Sequence, residues 1–327
     1  MLYRLTAAAI AATLSFGIGC GDAQLPPLTG AAAPSATDAH AILMSRTMSP
    51  GKVYWVSTES QAADMLRGRL APSVDWALCS QGVVAYLLAV GVDVTFVAVT
   101  YTSEQALQAV WHRGRPPKVG DRTMYVPGST IEFGLWRFLS KNSIPLAGLR
   151  IMNRRGVRLA DIVAALERPP EHVDAIDFAV LPEPYLTSLE STRPGAYQFD
   201  GGGFYEMQYG VVAKGTSLRA SSGSFTDLIQ QFALADRTLR ALDTDDEFYA
   251  LLAAQWGRPA RHLPKTHTFN RTALQLSLRP SRLRALIQAE IDYLVAAYPS
   301  VFRGPLNADQ AVTPSILLGV LPAAVSY

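Results

Sequence analysis

A repeated alternation of short apolar strands and amphipathic helices constrains the fold of this chain more than any other feature. Runs of β-branched and aromatic residues mark strands, and apolar residues that recur every three or four positions mark helices. The predicted strands cover residues 53–56, 76–79, 94–99, 123–126, 149–152, 178–181 and 209–213, and helices lie between most of them. After residue 213 the pattern is mostly helical. This order predicts βαβ units, and therefore an α/β fold built on mostly parallel sheets.

Composition narrows the possible functions. The chain has 327 residues, of which 49% are hydrophobic and 17% charged, enough for one large or two medium-sized domains. Its formal net charge of +2 gives no indication of a nucleic-acid partner. With two cysteines a disulfide framework is excluded, and Cys79 lies in an apolar run that favours a buried, unreactive thiol. The five histidines lack the spacing of a metal site, and the pair His262 and His267 is predicted to lie in a surface loop, so no cofactor or metal is expected.

The first twenty residues resemble an export signal. Arg4 supplies a positive start, and residues 5–16 form an apolar run too short to span a bilayer. Cys20 follows small residues, as in a bacterial lipoprotein signal, although Gly17 stands where a leucine is usual. We therefore predict a signal peptide over 1–19 and a lipid anchor on Cys20, with cleavage after Ala23 as the alternative. No later segment is apolar enough to predict a transmembrane helix.

Two segments are predicted to carry the chain between two lobes. Thr100–Ser103 follows a strong strand, and Asp200–Gly203 contains three consecutive glycines, which make a rigid continuation unfavourable. Two crossings divide the chain into a first lobe of residues 20–102 and 201–327 and a second lobe of 103–200. This arrangement is typical of hinged binding proteins that close around a ligand.

Six segments in this order resemble one protein family. They are 63–70 with 74–77, 91–99, 126–130, 173–175 with 181–185, 209–213 and the helix from Phe225. Together they resemble the periplasmic solute-binding proteins of ABC importers for nitrate, sulfonates, taurine and thiamine pyrimidine (the NMT1/SsuA-like type). The resemblance implies a type II periplasmic binding protein fold with two lobes and two hinge crossings, a monomer, and an ABC permease as partner. The chain departs from the family pattern in three ways. Its first strand is weak, and Leu181-Pro182 stands where the family often has an aromatic residue before the Glu-Pro pair. The Cys-rich motif of the fungal-type members is absent.

The strand at 178–181 ends abruptly at Pro182, next to Glu183 and Tyr185. Ligands of open α/β sheets bind beyond the carboxyl ends of strands, and flanking prolines stiffen this segment. Glu183 is therefore predicted to bind a donor or positively charged group, and Tyr185 to stack on it. A solvated glutamate in a proline-rich turn is the alternative.

Other candidate ligand-binding residues lie at further strand ends. Ser129 and Thr130 begin a helix and are predicted to bind an acceptor group, or else only to cap the helix. The remaining candidates are Ser80 and Gln81 at the equivalent position of the first lobe, Tyr101 and Ser103 at the first crossing, and Phe133 as a pocket wall.

These residues predict an exported binding protein that captures a small organic metabolite, such as a sulfonate or an aminopyrimidine. A non-ABC carrier or sensor for a larger apolar or lipid-like ligand is the alternative. No nucleophile–base pair is evident in the sequence, so an enzyme is not expected. A zwitterion, an aminopyrimidine or a hydroxylated aromatic would suit Glu183 together with Ser129 and Thr130, and the sequence does not rank them.

Overall fold

The computed structural model describes residues 27–33, 36–45, 51–153, 156–183, 185–201, 203–256, 271–302 and 307–327. The predicted signal peptide, the lipid anchor at Cys20, and His262 with His267 lie outside these described residues.

Eleven strands and eleven α-helices make up the described fold. The strands are β1 (Thr29–Ala32), β2 (Lys52–Trp55), β3 (Trp76–Ser80), β4 (Val94–Ser103), β5 (Leu107–His112), β6 (Arg122–Thr123), β7 (Arg150–Ile151), β8 (Phe178–Pro182), β9 (Tyr197–Asp200), β10 (Met207–Lys214) and β11 (Leu274–Ser277). The helices are α1 (Ala39–Met44), α2 (Glu59–Leu66), α3 (Gln81–Ala89), α4 (Thr130–Lys141), α5 (Leu159–Leu166), α6 (Tyr185–Thr192), α7 (Gly215–Ala220), α8 (Ser222–Arg240), α9 (Asp245–Trp256), α10 (Pro280–Ala297) and α11 (Ser315–Val320).

The strands form two sheets, and each sheet is flanked by helices. The first has the order β11-β4-β10-β3-β1-β2 and the second the order β7-β6-β8-β5-β9. The prediction of mostly parallel sheets is wrong, because both sheets are mixed. In the first, β1 is parallel to β2 and β3, whereas β10 is antiparallel to β3 and β4. In the first sheet the cause is the double crossing: a chain that leaves the sheet at the end of one strand and returns at that same end must run in the opposite direction.

The chain passes between the sheets at residues 104–106 and 201–206. The segment 100–103, predicted as the first crossing, belongs instead to the long strand β4, in which Tyr101 pairs with Tyr209 and Ser103 with Met207. In the second crossing Gly203 has a φ of +56°, a conformation that favours glycine.

The weak first strand has a steric explanation. A Cβ placed on Gly30 of β1 would overlap the ring of Trp76, which lies on the neighbouring strand and is fully buried. Strand β1 therefore needs small residues, and its sequence Thr-Gly-Ala-Ala carries little of the β-branched signal that marks other strands.

The starts of two helices differ in how they are capped. The side chain of Asp38 makes no cap hydrogen bond to α1, and its Oδ1 accepts a hydrogen bond from the Tyr209 hydroxyl at 2.9 Å. Helix α2 is capped by Thr58, whose side chain accepts from the Gln61 N–H. Within the described residues, no helix has both the length and the apolar character needed to span a bilayer.

Candidate functional site

The carboxyl ends of several strands meet where the two lobes face each other. Ser80 ends β3 and Ser103 ends β4 in the first lobe, and Pro182 ends β8 in the second. Both crossings run along the same boundary, because β4 ends there and β10 begins there. This is the position at which open α/β folds bind ligands.

Ser80 and Thr130 connect the lobes directly. Their hydroxyl oxygens lie 2.7 Å apart, and both residues are buried. Beneath them the carboxylate of Glu59, which sequence reasoning missed, accepts a hydrogen bond from the Ser80 N–H. Burial raises the pKa of Glu59, and the hydrogen bonds from Ser80 oppose that rise.

Close packing of α3 against α4 surrounds this contact. A Cβ on Gly82 would lie 2.9 Å from the Phe133 ring and 3.0 Å from Thr130 Oγ1. Phe133 is fully buried, so it belongs to the packing between the lobes and not to an open wall.

Gln81 holds the second crossing in place. Its Nε2 donates to the Tyr205 hydroxyl at 3.0 Å and to the Glu206 carbonyl at 2.7 Å. Its Oε1 accepts from the Gln208 N–H at 2.7 Å. Both the nitrogen and the oxygen of the Gln81 carboxamide therefore make hydrogen bonds within the protein.

Ser129 caps α4. Its Oγ donates to the Val126 carbonyl at 2.6 Å and accepts from the Ile131 N–H at 3.2 Å. The structure therefore contains the capping arrangement that was the alternative to ligand binding for this residue.

A second set of contacts between the lobes forms what we call the tyrosine seam: Glu132, Phe133 and Trp136 of α4 with Tyr293 of α10 and Tyr298 just beyond it. Glu132 Oε1 accepts from the Tyr293 hydroxyl at 2.9 Å and from the Tyr298 hydroxyl. The Trp136 and Tyr293 rings stack with centroids 4.8 Å apart. Burial raises the pKa of Glu132, and the hydrogen bonds that it accepts oppose the rise. The seam therefore joins α4, the first helix of the second lobe, to α10 of the first lobe.

Glu183 and Tyr185 lie at the start of α6 and are half-buried. Glu183 Oε2 accepts from the Thr187 N–H at 3.1 Å and from the Thr187 hydroxyl at 2.9 Å, so this carboxylate caps α6. Tyr101 of the first lobe is buried. Burial raises the pKa of Tyr101, a hydrogen bond with Ser103 opposes the rise, and the charge of Glu183 adds to it.

A cavity of about 430 Å³ adjoins Glu183. It lies between α6 and the strands β5 and β9, and its lining residues are Gln108, Arg113, Glu183, Leu186, Thr187, Glu190, Tyr197, Gln198 and Phe199. A volume in this range suits a small metabolite. Of the sequence-predicted site residues, Glu183 alone lines it.

The thiol of Cys79 is buried. Burial raises the pKa of Cys79 well above its ordinary value, and the charges of Glu59 and Asp38 raise it further. A thiol held neutral in this way is a poor nucleophile.

In the part of the chain that the structure describes, no group of three or more His, Cys, Asp or Glu residues could hold a metal ion.

Glu290 of α10 gives the protein an expected pH dependence. Its Oε1 accepts from the Tyr205 hydroxyl at 2.9 Å, and burial raises its pKa from 4.5 to about 8. Because the folded state favours the protonated carboxyl, the stability that this group contributes is present below pH 4.5 and is lost as the pH rises towards about 8. The difference in unfolding free energy between Glu290→Gln and wild type should therefore grow in favour of the variant by on the order of 3 kcal/mol from about pH 5 to about pH 9. Thermal unfolding across that range measures the difference, and parallel curves for the two proteins would contradict it.

Comparison with known proteins establishes the fold. No protein-family model matches the sequence, and no curated protein matches it either. Among solved structures, the aliphatic sulphonate binding protein SsuA of Escherichia coli is 17% identical, with a TM-score of 0.65 over 88% of this chain and 92% of that one. The alkanesulfonate-binding protein SsuA of Xanthomonas axonopodis pv. citri is 16% identical, with a TM-score of 0.66 over 89% of this chain and 100% of the other.

The nitrate-binding protein NrtA of Synechocystis gives a similar match. It is 12% identical, with a TM-score of 0.62 over 92% of this chain and 89% of that chain. These neighbours confirm the fold that the sequence resemblance implied. The chain has the two-lobe periplasmic binding protein fold.

Proposed function

We propose that this protein is the extracytoplasmic solute-binding component of an ABC importer, and that it captures a small organic metabolite at the boundary between its lobes. The observation that carries the proposal is structural likeness along about nine-tenths of the chain to proteins named for binding sulfonates and nitrate. The strand ends of both lobes, where such a fold binds its ligand, face each other here. Binding energy would drive closure, and no bond chemistry is involved.

The lobe boundary supports a capture role. The facing hydroxyls of Ser80 and Thr130 belong to different lobes, and each sheet is built from the strands of one lobe. The cavity beside Glu183 is lined by second-lobe residues and has the volume of a metabolite site. We further propose export by the signal at 1–19, a lipid anchor on Cys20, a location in the periplasm or cell envelope, and delivery as a monomer to a permease.

Thermal unfolding of the full-length chain with a ligand panel tests the proposal. The panel contains alkanesulfonates, nitrate, amines and aromatic acids. A ligand at about 100 times its dissociation constant adds roughly 2.7 kcal/mol, so one chemical class should raise the midpoint by several degrees. Small-angle scattering should show a smaller radius of gyration with that ligand. Unchanged midpoints with all classes would contradict small-metabolite capture.

A further inference from the structure

The cavity beside Glu183 has two chemically different ends. Strand β5 advances about 3.3 Å per residue, so Gln108 and Arg113 lie at opposite ends of the cavity. A Cβ on Gly201 would lie 2.9 Å from the Gln108 carboxamide, which places that end at the second crossing. The end that carries Gln108 therefore lies next to the second crossing, and all the lining residues belong to the second lobe.

Carboxylates and one guanidinium are distributed unevenly along the cavity. Glu190 Oε1 accepts from the Gly195 N–H at 3.2 Å, and the Arg113 guanidinium lies 3.9 Å from the position of a Cβ on Gly195. Arg113 and Glu190 therefore lie near the same residue, at the end away from the boundary. At the boundary end the charged lining residue is Glu183, beside the neutral amide of Gln108.

Between these ends the lining is apolar and aromatic. Leu186 is buried, and Phe199 and Tyr197 of β9 face the same side as Val110 and His112 of β5. Tyr197 is 1% exposed, and its hydroxyl has no hydrogen-bond partner among the described residues. The lining between the ends therefore suits the apolar body of a ligand.

We infer that the ligand of this cavity is a small amphipathic amine, with its ammonium at Glu183 and its apolar body along Phe199 and Tyr197. The inference rests on the proposed function and names the second-lobe part of its site and the ligand class. An ammonium at Glu183 makes charge-assisted hydrogen bonds and lies within range of aromatic rings. A sulfonate or nitrate in that position would meet a carboxylate, and like charges in a partly desolvated site repel strongly.

Calorimetric titration of the full-length chain with charge-reversed pairs of similar size tests the inference. The pairs are tyramine with 4-hydroxyphenylacetate, and hexylamine with hexanesulfonate, and nitrate is titrated as well. At least one amine should bind about tenfold or more tightly than its anionic counterpart. Glu183→Gln should lower that affinity by about tenfold or more, because it removes the charge. Glu171→Gln, a change of the same kind at an exposed residue of the second lobe, should leave it unchanged.

Because Glu183 also caps α6, a second variant keeps that cap. Gln108→Lys brings a cation to the boundary end from β5, and it should abolish amine binding and strengthen binding of 4-hydroxyphenylacetate. Equal binding by both members of each pair, a preference for the anions, or an unchanged amine affinity in Glu183→Gln would overturn the inference and leave solute capture standing. Absence of binding by every compound would overturn the inference and count against the proposed function too.

Discussion

Replacing Glu132 with alanine should lower the free energy of unfolding by about 2–4 kcal/mol. The substitution removes the acceptor shared by the Tyr293 and Tyr298 hydroxyls and leaves both of them in a partly buried seam. Each donor left without a partner costs about 1–3 kcal/mol, and part of that cost is offset because the buried carboxylate is itself desolvated. Chemical denaturation of the full-length chain measures the loss.

Two variants separate the seam from a general effect of losing a glutamate. Glu132→Gln keeps an acceptor for the tyrosines and should be less destabilising than Glu132→Ala. Glu171→Ala, at an exposed position of the same lobe, should be close to neutral. If Glu132→Ala were as stable as wild type, the tyrosine hydroxyls would not depend on this carboxylate, and the seam would not hold the lobes together.

Gly210→Ala should destabilise the protein by about 3 kcal/mol or more. Gly210 lies in β10, and a Cβ there would overlap the Ala98 carbonyl oxygen and lie 2.7 Å from Val99 Cα. Both neighbours are backbone atoms of β4, so the clash cannot be relieved by a side-chain rotation, and the ladder between β10 and β4 must separate locally. A fall in the thermal midpoint of several degrees or more is expected.

Gly319→Ala provides the matched control. It adds the same methyl group on α11, where nothing lies within 4 Å of the new Cβ. The change replaces a helical glycine with a better helix former and should be neutral or slightly stabilising. Equal losses from the two substitutions would mean that the contact between β4 and β10 does not limit stability.

The sequence predicted the central strands well because their signals are local. Phe178–Leu181 was predicted as a strand and appears as Phe178–Pro182, and the strand predicted over 94–99 appears within Val94–Ser103. Strand direction was predicted wrongly, because it depends on where the chain leaves and re-enters a sheet. Strand β1 was obscured since Trp76, distant in sequence, restricts it to small residues.

The site was harder to predict than the fold. A sequence can place Ser80 and Thr130 at strand or helix ends, but it does not show that two residues fifty positions apart share a hydrogen bond. Gln81 and Phe133 were reasonable candidates by position, yet in the structure Gln81 hydrogen-bonds the second crossing and Phe133 packs between the lobes. Glu59 was missed because it opens a helix, where an acidic residue is expected for the helix dipole alone.

The position of β10 has a consequence for how the protein is made. β10 lies in the middle of the first sheet, between β3 and β4, although it comes from residues 207–214. The strands β3 and β4 therefore cannot be joined through β10 until more than half of the chain has been synthesised. The second sheet draws all its strands from residues 107–200, so it can be completed earlier. Because synthesis begins at the N-terminus, β3 and β4 have unpaired edges during the time in which the inserted lobe is made. Such edges can associate with other chains.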